Sequence, residues 1–190
     1  SDEIYRDIRY SGEQVSLGAL DGMGNRTITV NGFSKAFAMT GWRVGFAFGP
    51  SWLMPQVIKV VNYATTCVNT PGQRAALAAL NMDQGPFHSM TESFHRRVDL
   101  LWNRLQEIPG IRCHQPAGSF YLFPDISAVT PDSTSFALSL LEQERVLVIP
   151  GQAFGASGEG CVRIAGTVDE EKLKEAMHRL KRYVRSFHPS

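Results

Sequence analysis

Residues 85–110, GPFHSMTESFHRRVDLLWNRLQEIPG, set the terms for any fold of this chain. Their apolar positions recur at helical spacing throughout, and Pro109 and Gly110 then end the pattern. So long an amphipathic helix outgrows one small domain and is expected to run between two. Ahead of it, TITVN (27–31) and RVGFAF (43–48) read as strands, β-branched or aromatic and bounded by Gly and Pro. GFSKAFAMTG joins them. SWLMPQVIKVVNYATTC carries apolar residues at helical spacing with Pro55 in its first turn, and TPGQRAALAALN begins a second helix near Pro71 and Gly72. Beyond Gly110 the elements shorten: IRCHQ, SFYLFPDI, VLVIPG and CVRIAG as strands, TSFALSLLEQE as a helix, and a last helix from Asp169 to about Arg185. Asp169, Glu170 and Glu171 open that helix and Lys181, Arg182 and Arg185 close it, which suits its dipole. The expected domains are 1–82, a partial large domain with the start of the interdomain helices, and 83–190, the long linker helix followed beyond Gly110 by a compact α+β unit of about 80 to 100 residues, an ordinary domain size.

A chain of 190 residues that is 43% hydrophobic can bury real cores. Nineteen Lys and Arg against 18 Asp and Glu leave a net charge of +1, so no electrostatic argument favours a nucleic acid or an anionic membrane as partner. Apolar runs fall far short of the roughly 20 residues that span a bilayer, and the N-terminus lacks the basic-then-apolar pattern of a secretory signal. A cytoplasmic protein is expected. Cys67, Cys113 and Cys161 are widely spaced and odd in number, which indicates neither a disulfide framework nor a zinc site, but buried or incidental thiols. The histidines show no ligand spacing such as HExxH, so no metal is assigned.

Chemistry concentrates in NGFSKAFAMTGWRVG, residues 31–45, where one lysine and one arginine are set into an otherwise apolar run. Loss of hydration in such a setting favours the free amine of a lysine, a nucleophile toward a carbonyl. Lys35 therefore fits a Schiff-base lysine, although a lysine taken alone more often snorkels to the surface. Arg43, expected at the start of a strand, could clamp a phosphate with its guanidinium fork. An amine for a carbonyl and a guanidinium for a phosphate together describe pyridoxal 5'-phosphate. That cofactor also takes a carboxylate at its pyridine nitrogen, because the protonated ring is the electron sink for a carbanion. Asp2 in SDEIY offers the carboxylate, and Tyr5 could donate a hydrogen bond to the ring's 3-oxygen.

Taken in order, DEIY, NGFSKAFAMTGWRVG, PAGSFYLFPDIS, VIPGQAFG and VRIAGT resemble the fold-type I pyridoxal-phosphate aminotransferases of class I/II, the aspartate aminotransferase-like family. The resemblance runs from residue 1 to about residue 185, and the lysine segment with its GWR is its most specific part. It implies an α/β fold: the C-terminal part of a large cofactor-binding domain with a mixed, mainly parallel sheet, followed by a small α+β domain. It also implies that Asp2 pairs with the pyridine nitrogen and Tyr5 with the 3-oxygen. Lys35 would form the internal aldimine and then act as base and acid of the 1,3-proton shift. Arg43 would hold the phosphate with Ser34 near it, and Arg163 in VRIAGT would take the substrate α-carboxylate, a planar acceptor suited to its fork. The implied activity is ping-pong transamination between an amino acid and a 2-oxo acid, by a homodimer. Phe120 and Tyr121 in GSFYLF read as small-domain core.

The chain departs from the family pattern in two ways. Gly32 stands where many members carry a hydroxyl residue, three positions before the lysine, which removes one phosphate hydrogen bond. The cofactor-stacking aromatic, the Gly-containing phosphate loop at a helix start and the NPTG-type asparagine are not found here. SDEIY opens without Met and with two carboxylates ahead of an apolar residue. The expectation is thus an incomplete fragment, the C-terminal half of an aminotransferase, inactive by itself and with unpaired sheet edges. NYATTCVNTPG (62–72), expected to approach a neighbouring subunit's active site, has no Arg or Lys, which mildly disfavours one way of holding an acidic side chain. Two alternatives stand beside this reading. A lyase or synthase of the same fold would keep every residue named, because the outcome depends on how the carbanion is protonated. A cofactor-sensing domain of a transcription regulator would need a DNA-binding domain upstream, and nothing basic in this chain speaks for one.

Overall fold

A computed structural model describes residues 1–187, which divide into two compact units, residues 1–91 and the residues from Glu92 onward. In the first, β1 (Thr29–Gly32) pairs antiparallel with β2 (Gly45–Phe48), Thr29 opposite Phe48 and Gly32 opposite Gly45. Residues 1–3 run parallel along the other side of β1: Glu3 N donates to Val30 O at 2.8 Å and Val30 N to Ser1 O at 2.8 Å. Of the mixed, mainly parallel sheet that the resemblance implies, the described residues of this unit hold the antiparallel pair and one parallel bridge, Asp2 with Val30.

Gly32 has a steric reason to be glycine. A Cβ there would stand 3.0 Å from Gly45 Cα and 3.0 Å from Val44 O, so the two strands meet closely where a hydroxyl side chain would otherwise begin. The segment after β1 folds back onto α2 (Thr70–Asn81), where Phe33, Met39 and Val44 pack against Ala76 and Ala79. Asn69 caps α2, its Oδ1 accepting from Gly72 N at 2.7 Å, while its Nδ2 donates to Trp42 O at 3.2 Å. One side chain thereby starts the helix and ties down the turn before β2. Replacing Asn69 with Ala should cost about 1–2 kcal/mol, read as a lower denaturation midpoint with an unchanged denaturant slope. By contrast α1 (Met54–Thr65) buries none of its residues, and Tyr63 is 94% exposed.

The division between units falls inside α3 (Gly85–Gln106), between Thr91 and Glu92. Packing explains it. Phe87 meets Phe37 edge-on with ring centroids 4.7 Å apart in the first unit, whereas Val98, Leu101 and Leu105 are buried in the second.

The second unit is built on a three-stranded antiparallel sheet in the order β3 (Tyr121–Leu122), β5 (Val162–Ala165), β4 (Ile149–Pro150). Helices α4 (Ser133–Glu144) and α5 (Glu170–Arg185) are capped by Asp132, which accepts from Ser135 N at 2.9 Å, and by Asp169, which accepts from Lys172 N at 2.9 Å. Leu122, Ile126, Phe136, Leu140, Val162, Leu180 and Val184 fill the core. Along β5, Val162 and Ile164 are buried while Arg163 and Ala165 take the opposite face, as strand alternation requires. IRCHQ forms no strand; Arg112 and Asp125 meet in a single bridge, and Pro124 beside it has no N–H to extend the ladder. The cysteines are unbridged, Cys67 exposed, and burial pushes the thiols of Cys113 and Cys161 up. Among the described residues no helix is long and apolar enough to cross a membrane.

Candidate active site

Lys35 lies in the turn that follows β1. Two backbone bonds close that turn, Phe33 N to Val44 O and Met39 N to Phe33 O, both at 3.2 Å. Phe33, Ala36 and Met39 are buried around it, leaving Ser34 and Lys35 half-buried at its start. Ala38 and Arg43 adopt left-handed backbone with φ of 53° and 56°. A residue with a Cβ pays about 1–2 kcal/mol for that conformation, and such strain persists where packing over-determines it, often at functional sites.

The structure brings Lys35 and Tyr5 together, the lysine Nζ standing 5.8 Å from the centre of the phenol ring. Asp2 is placed by the parallel bridge to Val30, and its Oδ1 accepts from Ile4 N at 3.1 Å. Its neighbour Glu3 is the buried anchor of this segment, accepting from Ser16 Oγ at 2.6 Å and pairing with Arg6 at 3.6 Å. Arg43 stands before β2 rather than at its start, because its left-handed backbone interrupts the extended run. It is exposed, and Nη1 donates to Thr40 O at 2.9 Å. Asp2, Tyr5, Ser34, Lys35 and Arg43 thus share one frame of strand, turn and strand.

Donor chemistry fits pyridoxal phosphate at this frame. An amine suits the aldehyde, a phenol and a carboxylate suit the ring's polar atoms, and a guanidinium suits the phosphate. Among the described residues, no group of three His, Cys, Asp or Glu could hold a metal ion.

Arg163 belongs to the second unit, on the outer face of β5. Its Cζ lies 4.5 Å from the centre of the Tyr121 ring and 4.8 Å from that of Phe154. Phe120 is buried, as the reading of GSFYLF as core expects, but Tyr121 is half-buried and faces the arginine. Phe154 is the residue that sequence reasoning missed; its one signal was a place in VIPGQAFG. Two turns of 3-10 helix, Gly151–Phe154 and Ala156–Gly158, carry it, closed by Gly151 N to Cys161 O at 2.8 Å.

Glu159 ties this loop to α4, accepting from Ser133 N at 2.7 Å and Gly160 N at 3.2 Å. Those bonds, the one from Ser133 foremost, hold its carboxyl below the ordinary glutamate value. A lowered value contributes stability that is complete above the unfolded pKa of about 4.3 and is lost as pH falls through the folded one. Acid denaturation of Glu159→Gln should therefore depend less steeply on pH below about 4.3 than that of the parent; identical profiles would show that the contact contributes nothing.

The family model described as aminotransferase class I and II matches residues 1–180. The chain is 44% identical over 188 residues to an aspartate aminotransferase of Pyrococcus abyssi, covering 97% of this chain and 48% of that protein. An aromatic-amino-acid aminotransferase of Thermococcus litoralis is 42% identical over 188 residues, with the same coverage of 97% and 48%. Among solved structures, the aromatic aminotransferase of Pyrococcus horikoshii superposes with a TM-score of 0.93 at 44% identity, over 97% of this chain and 50% of that one. The aspartate aminotransferase of Rhizobium meliloti gives a TM-score of 0.89 at 39% identity, over 96% and 48%. The chain spans about half the length of the relatives it matches.

Proposed function

This chain belongs to the aminotransferase class I and II family, and on that premise we propose that the protein carrying it moves an amino group between an amino acid and a 2-oxo acid by a ping-pong route. The observation that carries the reading is the half-buried Lys35 amine set against Tyr5 in a packed turn. Bound pyridoxal phosphate supplies the electron sink that stabilises a carbanion at the substrate α carbon. Asp2 keeps the ring nitrogen protonated, and Tyr5 donates its phenol proton to the ring oxygen. Arg43 binds the phosphate, with Ser34 assisting. Lys35 Nζ would hold the cofactor by its aldehyde and would serve as the base that removes the substrate α proton and the acid that returns it. Arg163 binds the substrate α-carboxylate through its fork.

A cytoplasmic homodimer belongs to this reading. The apolar exposure of α1, with Ile58, Val60 and Val61 uncovered, supports a partner on that face. Aspartate and aromatic amino acids, named for the relatives, are the donors to try first. The test follows nitrogen in the full-length protein loaded with cofactor. A 15N-labelled donor and an unlabelled 2-oxo acid should give labelled product amino acid and parallel double-reciprocal plots. Release of the label as ammonium would replace transamination with a lyase reaction.

A further inference from the structure

Arg163 is contacted by two rings that come from different parts of the chain. Tyr121 reaches it from β3. In the antiparallel register Tyr121 lies opposite Ala165, which shares a face with Arg163 two residues back along β5. The alanine's single methyl leaves the phenol ring room to lean along that face onto the guanidinium. Phe154 reaches it from the loop that follows β4. Both rings are braced in turn: Phe123 meets Phe154 edge-on at 5.7 Å between centroids, and Phe120 lies 4.7 Å from Tyr121. Among the described residues the guanidinium has ring contacts but no hydrogen bond or ion pair, so its N–H donors, which lie in the guanidinium plane, are unspent.

We propose that Tyr121 and Phe154 are positioning residues that set the carboxylate affinity of Arg163. Two cation–π contacts restrain the guanidinium without using its N–H donors, which stay available for the two parallel bonds a carboxylate takes. The rings also keep water off the parts of the guanidinium they touch, which strengthens each bond made to it, and they restrain it before the acceptor arrives. A pre-organised fork loses less freedom on binding than a mobile one. This inference rests on the reading of Arg163 as the carboxylate holder.

The test uses the full-length protein loaded with pyridoxal phosphate, and propanoate as probe, a carboxylate without amino or oxo group that competes with the amino donor. Arg163→Leu should raise the inhibition constant of propanoate by about a hundredfold or more. Tyr121→Leu and Phe154→Leu should each raise it about five- to tenfold, with KM for the donor rising in step and kcat at saturation changing less than twofold. Tyr121→Phe should restore the affinity, since the ring and not the hydroxyl makes the contact. Cofactor absorbance and thermal midpoint, recorded for every variant, separate loss of the fold from loss of the clamp.

If Arg163→Leu weakens propanoate while both ring variants bind it as the parent does, the positioning role is overturned and the carboxylate site stands. An Arg163→Leu variant that binds propanoate normally would remove the carboxylate assignment itself. Should a leucine variant fail to hold its fold, the comparison passes to Tyr121→Phe and Phe154→Tyr: retained affinity in both supports the ring contact, and a fivefold loss in both refutes it.

Discussion

Replacing Lys35 with Ala is expected to abolish turnover and covalent retention of the cofactor together. The amine is asked for two things at once, attachment to an aldehyde and transfer of the α proton, and general acid–base transfer alone contributes about 10²–10⁴-fold. The loss in kcat should therefore reach at least about 10⁴-fold. Intact mass after borohydride reduction reads attachment independently of activity. The parent should gain one cofactor mass at Lys35 and the variant none. Tyr5→Phe supplies the contrast: it keeps the ring beside Lys35 and removes only the hydroxyl group, so attachment should persist while turnover falls by about tenfold to a hundredfold. Normal turnover in Lys35→Ala, or a reduced adduct on another lysine, would end the assignment. The packing around the turn makes the change a clean one, because Phe33, Ala36 and Met39, and not Lys35, carry its burial.

What the sequence disclosed and what it hid follow from how far apart the interacting residues lie. NGFSKAFAMTGWRVG was legible because the amine, the guanidinium and the apolar residues that hold them are neighbours in the chain. The same holds for α2, α3 and α5, whose ends were marked by Pro71, Pro109 and Asp169 close to where they lie. Arg43 was misplaced at the start of a strand because a left-handed backbone at a residue with a Cβ leaves no compositional mark; tertiary packing imposes it. The strand expected over IRCHQ reduced to one bridge because pairing depends on a partner, and that partner is interrupted at Pro124. At Gly32 the sequence showed a missing hydroxyl but not Gly45, whose Cα an added Cβ would meet at 3.0 Å from the next strand. The clamp on Arg163 depends on a register between β3 and β5 and on a loop after β4, contacts between distant segments that no local periodicity encodes.

That loop is the site of the second large expected effect. Gly151→Ala should destabilise the C-terminal unit by about 3 kcal/mol or more, at or above the upper end of ordinary overpacking. A Cβ at Gly151 would overlap Gly158 O and stand 2.6 Å from Cys161 O. Both are backbone atoms and neither can swing aside. Relief would have to separate the two 3-10 turns or break the bond from Gly151 N to Cys161 O. Gly155 is the internal comparison: its φ of 111° strains any side chain, yet nothing lies within 4 Å of its added Cβ. Gly155→Ala should therefore cost only backbone strain, of order 1–3 kcal/mol, and less than Gly151→Ala in the same urea titration. The reverse order would mean that backbone contact does not hold the loop. Phe154 sits between these two glycines, so where Gly151→Ala still folds, the ring should leave Arg163 and propanoate affinity should fall as it does in Phe154→Leu. Stability and carboxylate binding would then change together in one variant although Gly151 itself offers no side chain to either.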